Sequence, residues 1–263
     1  MPRVPVCFTL DNLGDAADLF RGRILEPRPA GSNYALEVGV PSLLALFERH
    51  AVPLTYFVEG WSAERYPGLL RDFVARGHRI GMHGWQHEIW HLLDPHEIDE
   101  LGERATQSIT RACGTAPTAF RAPGGQTTAH TQQLLARLGY EIDASFAESP
   151  QPRVVSDTLV QLPYAWSGVD ATHWLWHKAS PEQAWQQWQQ ALEQAVAAGT
   201  PYIFIFHSHV MGMQPARLAI GARVLQQVLA DPRLEVVSLA ELRLRTLASA
   251  APTTAPALPA RPA

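Results

Sequence analysis

His83-Gly84-Trp85-Gln86-His87 follows directly on Arg79-Ile80-Gly81-Met82, a short run that reads as a β-strand. Two histidines four residues apart, taken as one helical turn, share a face with their Cβ atoms about 5–6 Å apart. Both rings can then reach one metal ion at the roughly 2.0–2.1 Å of a zinc–imidazole bond. Two imidazoles with one oxygen donor make the usual hydrolytic metal site, in which a position stays open for water. An isolated pair of this spacing is also what a solvated helical face produces, so the reading depends on the rest of the chain.

Outward from this motif, short β-branched or aromatic runs alternate with longer helical patterns. Strands are expected at 4–10, 54–58, 79–82, 118–121, 141–145, 159–162, 202–206 and 234–237. Helices are expected at 40–50, 66–76, 95–113, 128–138, 181–198, 215–230 and 239–247, with Pro41 in the first turn of one and Gly77 and Gly114 closing others. Trp185 and Trp188 lie three apart in the 181–198 helix and read as packing residues. Strand–helix alternation implies parallel strands with helical crossovers, in a barrel or an open doubly wound sheet. In both, the chemistry sits at the C-terminal ends of the strands. Asp11 and Asn12, His83, Arg121 and His207 all fall at such ends. Surface histidines scattered at random would have no reason to follow strands.

The bulk numbers narrow the class. At 263 residues, 46% apolar and 17% charged, the chain is globular and long enough to bury about three quarters of its unfolded surface. A net charge of −4 without a basic run argues against a nucleic-acid partner. Cys7 and Cys113 are too few for a disulfide framework and lack CxxC spacing. No run approaches 18 uninterrupted apolar residues, so no membrane span is expected. Met1-Pro2-Arg3-Val4 leads straight into a strand with no signal-peptide core, and a cytoplasmic location is expected. One folded domain over 1–247 is expected, followed by a disordered Ala/Pro/Thr-rich tail over 248–263.

Four segments line up in order: Thr9-Leu10-Asp11-Asn12, His83-Gly84-Trp85-Gln86-His87, Arg121-Ala122-Pro123-Gly124-Gly125 and Phe204-Ile205-Phe206-His207. Together they resemble the polysaccharide deacetylase (NodB-homology) family, whose motifs read TFDDG, HxxxH, RxPxG and LxxH. Leu54-Thr55-Tyr56-Phe57-Val58-Glu59-Gly60 and Gly77-His78-Arg79-Ile80-Gly81-Met82 resemble the family's approaches to those motifs, and the likeness runs over roughly 4–245. Around His83-Gly84-Trp85-Gln86-His87-Glu88-Ile89-Trp90 the chain is similar to the branch that includes deformylases of lipid-linked aminosugars.

The resemblance implies a distorted (β/α)7-type barrel and a hydrolase that removes an N-acyl group, acetyl or formyl, from an aminosugar, whether small or lipid-linked. It also implies a divalent transition metal, zinc first, with iron, cobalt, nickel or manganese as alternatives. Carried onto this sequence, Asp11 takes a proton from the attacking water, and Arg121 orients Asp11 and favours its charged form. His207 protonates the leaving amine. His83 and His87 bind the metal. Trp85, Pro123, Gly124 and Trp166 are the expected substrate contacts. His209 competes with His207 for the acid role, and Asp143 or Asp170, with Trp166, are candidates for the family's further Asp and Trp pair.

One departure stands out: the family's second aspartate, a metal ligand, is Asn12 here. An amide oxygen can ligate but brings no charge. Asn12 is therefore expected as the third ligand, with Asp11 or Asp15 as possible substitutes for it, or with no metal held at all. Two further readings stay open: hydrolysis of a non-sugar amide or imide, and metal-free carbohydrate binding. A zincin protease is set aside because Gly84 follows His83, and a Rossmann dehydrogenase because Asp11-Asn12-Leu13-Gly14-Asp15 is no G-x-G-x-x-G.

Overall fold

A computed structural model describes residues 2–250. Its sheet follows the order β6-β7-β5-β4-β3-β2-β1-β8, with β9 added to the lower end of β1. The strands are β1 (Val4–Asp11), β2 (Thr55–Val58), β3 (Arg79–Met82), β4 (Ala119–Phe120), β5 (Ile142–Asp143), β6 (Arg153–Val154), β7 (Val160–Gln161), β8 (Tyr202–His207) and β9 (Leu234–Val236). Along the path from β7 to β8 seven strands run parallel, and the two-residue β6 alone is antiparallel. This is the expected (β/α)7-type arrangement: a single curled sheet whose end strands, β6 and β8, do not pair with each other among the described residues.

Among the described residues nine α-helices flank the sheet: α1 (Ala16–Phe20), α2 (Val40–Glu48), α3 (Gly60–Arg65), α4 (Pro67–Ala75), α5 (Pro95–Cys113), α6 (Ala129–Arg137), α7 (Pro181–Ala198), α8 (Pro215–Ala230) and α9 (Leu239–Ala250). Local sequence sets their ends. Asp94 and Glu97 form a reciprocal capping box at the start of α5, and Ser180 and Gln183 do the same for α7. Gly114 and Gly199 adopt left-handed conformations that close the same two helices. α9 runs three residues past its expected end, so the expected tail begins inside a helix; 251–263 lie outside the described residues.

Side-chain alternation divides the core into two layers. Val6, Phe8, Leu10, Tyr56, Val58, Met82, Phe204 and Phe206 face the helices and join the larger apolar cluster, where Trp188 is fully buried. Cys7, Phe57, Ala119, Ile142, Ile203 and Ile205 face the concave side. Because side chains alternate with period two, Thr9, Asp11, Arg121 and His207 continue this inner row at its upper end. The inner layer is tight at Gly81 on β3: a Cβ there would sit 2.6 Å from the Phe57 ring and 3.0 Å from the Ala119 carbonyl oxygen. No helix among the described residues is long and apolar enough to cross a membrane.

Candidate active site

Asp11 ends β1 and Arg121 follows β4, both almost fully buried. Arg121 Nη1 donates to Asp11 Oδ1 at 2.6 Å and to Thr9 Oγ1 at 2.9 Å, while its Nε donates to the Ala144 carbonyl at 2.9 Å. The Phe57 ring lies beneath the guanidinium, 4.2 Å from its carbon. A pair this deep gains little net stability, because desolvation offsets the attraction. What it supplies is a fixed carboxylate direction.

His83 comes off β3, and its Nδ1–H donates to the Arg121 carbonyl at 2.8 Å, which leaves the Nε2 lone pair as the free one. The two motif histidines meet with ring centroids 5.0 Å apart. The segment between them is not helical, which corrects the expected shared helix face. Gly84 and His87 both have positive φ, 71° and 74°. The intervening turn is held by the Glu88 carboxylate, which accepts from the amides of Trp85 at 3.0 Å and Gln86 at 2.7 Å. Backbone amides, not helical periodicity, bring the rings together. Burial pushes the His83 pKa down to about 3 and that of His87 well below its ordinary value, so both rings are neutral at neutral pH, as ligation requires.

Asn12 turns the chain out of β1 with φ 63°, a left-handed conformation that asparagine tolerates well. Its N–H donates to the Phe57 carbonyl at 3.2 Å, and its own carbonyl accepts from Tyr56 Oη at 2.8 Å. Its side-chain Oδ1 is buried and has no partner among the described residues. An orphaned buried acceptor at the same strand-end face of the sheet as two neutral imidazoles fits a divalent cation. Among the described residues no three of His, Cys, Asp and Glu gather as a metal cluster, so a three-ligand set there rests on Asn12. Asp15 is not a substitute. It is fully buried and committed elsewhere, paired with Arg28 and accepting from Asn33 Nδ2 at 2.7 Å and the Arg28 amide at 2.9 Å.

His207 ends β8 directly opposite Asp11 in the β1–β8 register. Asp170 grips it twice, its Oδ1 2.6 Å from Nδ1 and its Oδ2 accepting from the His207 amide at 2.8 Å. Val169 pairs with Ile205 as a parallel bridge, so 169–170 run along the outer edge of β8 and set Asp170 beside the ring. Burial opposes a charge on His207, but the Asp170 carboxylate outweighs it and the pKa is raised. Asp170, not Asp143, is thus the acidic partner. Asp143 registers with Phe120, on the helix side of the sheet, and is bonded to Ser145 and Gln161. His209 lies one step beyond the strand, its ring 5.4 Å from His207, without a carboxylate partner among the described residues.

The expected substrate contacts divide. Trp85 is buried, with Arg104 stacked 3.6 Å over its ring, so it supports the motif loop and offers no free face. Pro123 is buried against Gly84. Gly124 is exposed beside Gly125, and Trp166 reaches Gly125 and packs against Phe146, Tyr164 and Trp176 in tilted or edge-on pairs at 5.1–5.7 Å. Trp176 is 58% exposed, so this aromatic bench has an open end. The sequence reading did not find Glu88 or Arg21, whose Nη2 lies 3.4 Å from His87 Nδ1. A carboxylate one residue after the motif was the available signal for the first; Arg21 carried none.

Comparison with known proteins bears on the family. The profile of the polysaccharide deacetylase family matches residues 32–142, which contain the histidine motif and Arg121. A peptidoglycan deacetylase of Helicobacter pylori is 29% identical over 137 residues, 52% of this chain and 45% of its own length. The chain spans about half the length of the curated relatives it matches. A Mycobacterium smegmatis structure assigned to the polysaccharide deacetylases superposes with TM-score 0.79 at 25% identity, covering 95% of each chain. An allantoinase shares the fold at TM-score 0.77 and 20% identity, over 96% of this chain and 93% of its own. Strand-end motifs, sheet order and these likenesses agree: the chain is similar to the polysaccharide deacetylase (NodB-homology) family over residues 32–142 and shares the fold of its solved members.

Proposed function

We propose that this protein is a metal-dependent hydrolase that removes an N-acyl group, acetyl or formyl, from an aminosugar-containing substrate. The observation that carries the reading is the register pairing of Asp11 with His207, a carboxylate and an imidazole on the same inner row. Each is fixed from behind, by Arg121 and by Asp170.

Asp11 accepts the proton of the attacking water as the water oxygen bonds to the acyl carbon. His207, kept protonatable near neutral pH by Asp170, gives a proton to the nitrogen as the C–N bond breaks. A free amine and a carboxylate leave. His83, His87 and Asn12 would hold the metal, and the chemistry it supplies when bound is polarisation of the acyl oxygen and easier ionisation of water. Arg121 positions Asp11 and does not itself touch the substrate in this scheme. Gly124 and the Trp166–Trp176 bench would receive the sugar ring, a stacking role suited to exposed aromatic faces. That bench favours a sugar over a small non-sugar amide or imide.

The test is acyl release from N-acetylglucosamine oligomers and their N-formyl counterparts. Chelator-treated protein is assayed alone and after addition of zinc, cobalt, nickel or manganese. Metal-restored release of acetate or formate supports the reading. No release with any metal, or release indifferent to chelation and metal, contradicts it.

A further inference from the structure

Beside the candidate site, a cavity of about 230 Å³ opens between Asn12 and His209, with Tyr34, Arg21, Arg23 and Arg28 on its wall. Three guanidiniums border this cavity, and the neighbouring carboxylates, with Asp18 itself on the wall, pair with them unequally. Arg28 pairs with both Asp15 and Asp18, at 2.8 Å for the latter. Arg23 shares Asp18 at 3.5 Å. Arg21 has no carboxylate within ion-pair distance among the described residues; the one side chain it bonds is His87. The remaining lone pairs of Asp15 are taken up by Asn33 and a backbone amide. The local sum is three cations against two carboxylates, with the uncompensated one at the rim, next to the histidine motif.

Building on the proposed hydrolysis, we infer that this cavity is an anion subsite in which Arg21 recognises a phosphate or carboxylate on the aminosugar substrate. A guanidinium is suited to this, because its planar fork meets either group with two parallel N–H···O bonds. The cavity wall shares no residue with the aromatic bench by Gly125, so the anion and the sugar ring would be received at separate places. The substrate would then be held by its ring at one end and by its charge at the other.

The test is binding, read by NMR titration of backbone amides at low ionic strength. The probes are N-acetylglucosamine, N-acetylglucosamine 1-phosphate and N-acetylmuramic acid, against wild type, Arg21→Gln and Arg21→Lys. One anionic sugar binding about tenfold tighter than the neutral one, with the preference lost in Arg21→Gln and partly kept in Arg21→Lys, supports the subsite. Which of the two anions is preferred identifies phosphate or carboxylate as the group recognised. Equal binding of all three sugars, binding of none, or a preference that survives Arg21→Gln overturns it. Arg21-dependent binding without acyl release would sink the proposed hydrolysis and leave the subsite standing. Acyl release with no anion preference would do the reverse.

Discussion

Asp11 and His207 are register partners across β1 and β8, each held at 2.6 Å by a buried group of opposite tendency, Arg121 for the carboxylate and Asp170 for the imidazole. Parallel partners point to the same face of a sheet, so the register alone turns both side chains inward. The two clamps come from opposite directions, one from β4 across the concave side and one from the strip along the free edge of β8. Such an arrangement separates a proton acceptor from a proton donor while keeping them neighbours.

Asp170 acts through His207, and its removal should show in a pH profile. The His207 pKa is raised above its ordinary value despite burial, because of Asp170. In Asp170→Asn that attraction is gone, and burial and Arg121 oppose the charge with only the weaker pull of Asp11 against them. If His207 is the acid, the basic limb of kcat/KM moves to lower pH, and kcat near neutrality falls by about 10²-fold or more. The stability effect has the matching sign. A raised folded pKa contributes stability that is fully present below the unfolded value and is lost as pH rises through the folded one. The deficit of Asp170→Asn in urea unfolding should therefore be larger at pH 5 than at pH 9.

Removing Arg121 should cost more stability than altering Asp11. Arg121→Met leaves the Asp11 carboxylate buried without its partner, a loss of about 3–5 kcal/mol. Asp11→Asn keeps a neutral acceptor beside the guanidinium and should lose less. Denaturant midpoints of the two variants decide the order; equal losses would mean the pair is not the buried contact described.

Asn12→Asp should tighten metal binding. The amide oxygen is buried and without another partner, and a carboxylate adds charge where the two imidazoles bring none. A gain of about tenfold or more in affinity, near 1.4 kcal/mol, is expected from competition with a chromophoric chelator. Replacing His83 and His87 together should abolish retention, and unchanged metal content in that double variant would remove the ligand assignment.

Gly81→Ala tests the tight inner layer. The added methyl meets the Phe57 ring, which also carries the Arg121 guanidinium, so a loss of about 1–3 kcal/mol is expected. A neutral substitution would show that Phe57 moves aside freely.

Much of the fold was legible because strand and helix periods differ and because glycine, proline and capping residues punctuate the helices. The strand ends carrying Asp11, His83, Arg121 and His207 were legible for the same reason. The histidine motif was misread locally: four-residue spacing suggested a helix, whereas positive φ at Gly84 and His87 and the Glu88 carboxylate build an irregular turn. Asp15 was weighed as a ligand because it lies close in sequence, yet the chain folds it into contact with Arg28 and Asn33. Asp170 could not be told from Asp143 without knowing which face of the sheet each occupies. Trp85 was expected to contact substrate; its burial under Arg104 depends on how the following helix, α5, folds back over the motif. Arg21 had no motif to mark it, since its meaning comes from the carboxylates its neighbours have already taken.

The most direct test of the central claim is kcat/KM for Asp11→Asn against wild type. Both are metal-reconstituted, shown to be folded by thermal unfolding, and assayed for acyl release from the same N-acetylglucosamine oligomer. If Asp11 is the base, the variant loses about 10²–10⁴-fold while its unfolding stays cooperative. A folded variant within about twofold of wild type would contradict the Asp11–His207 account.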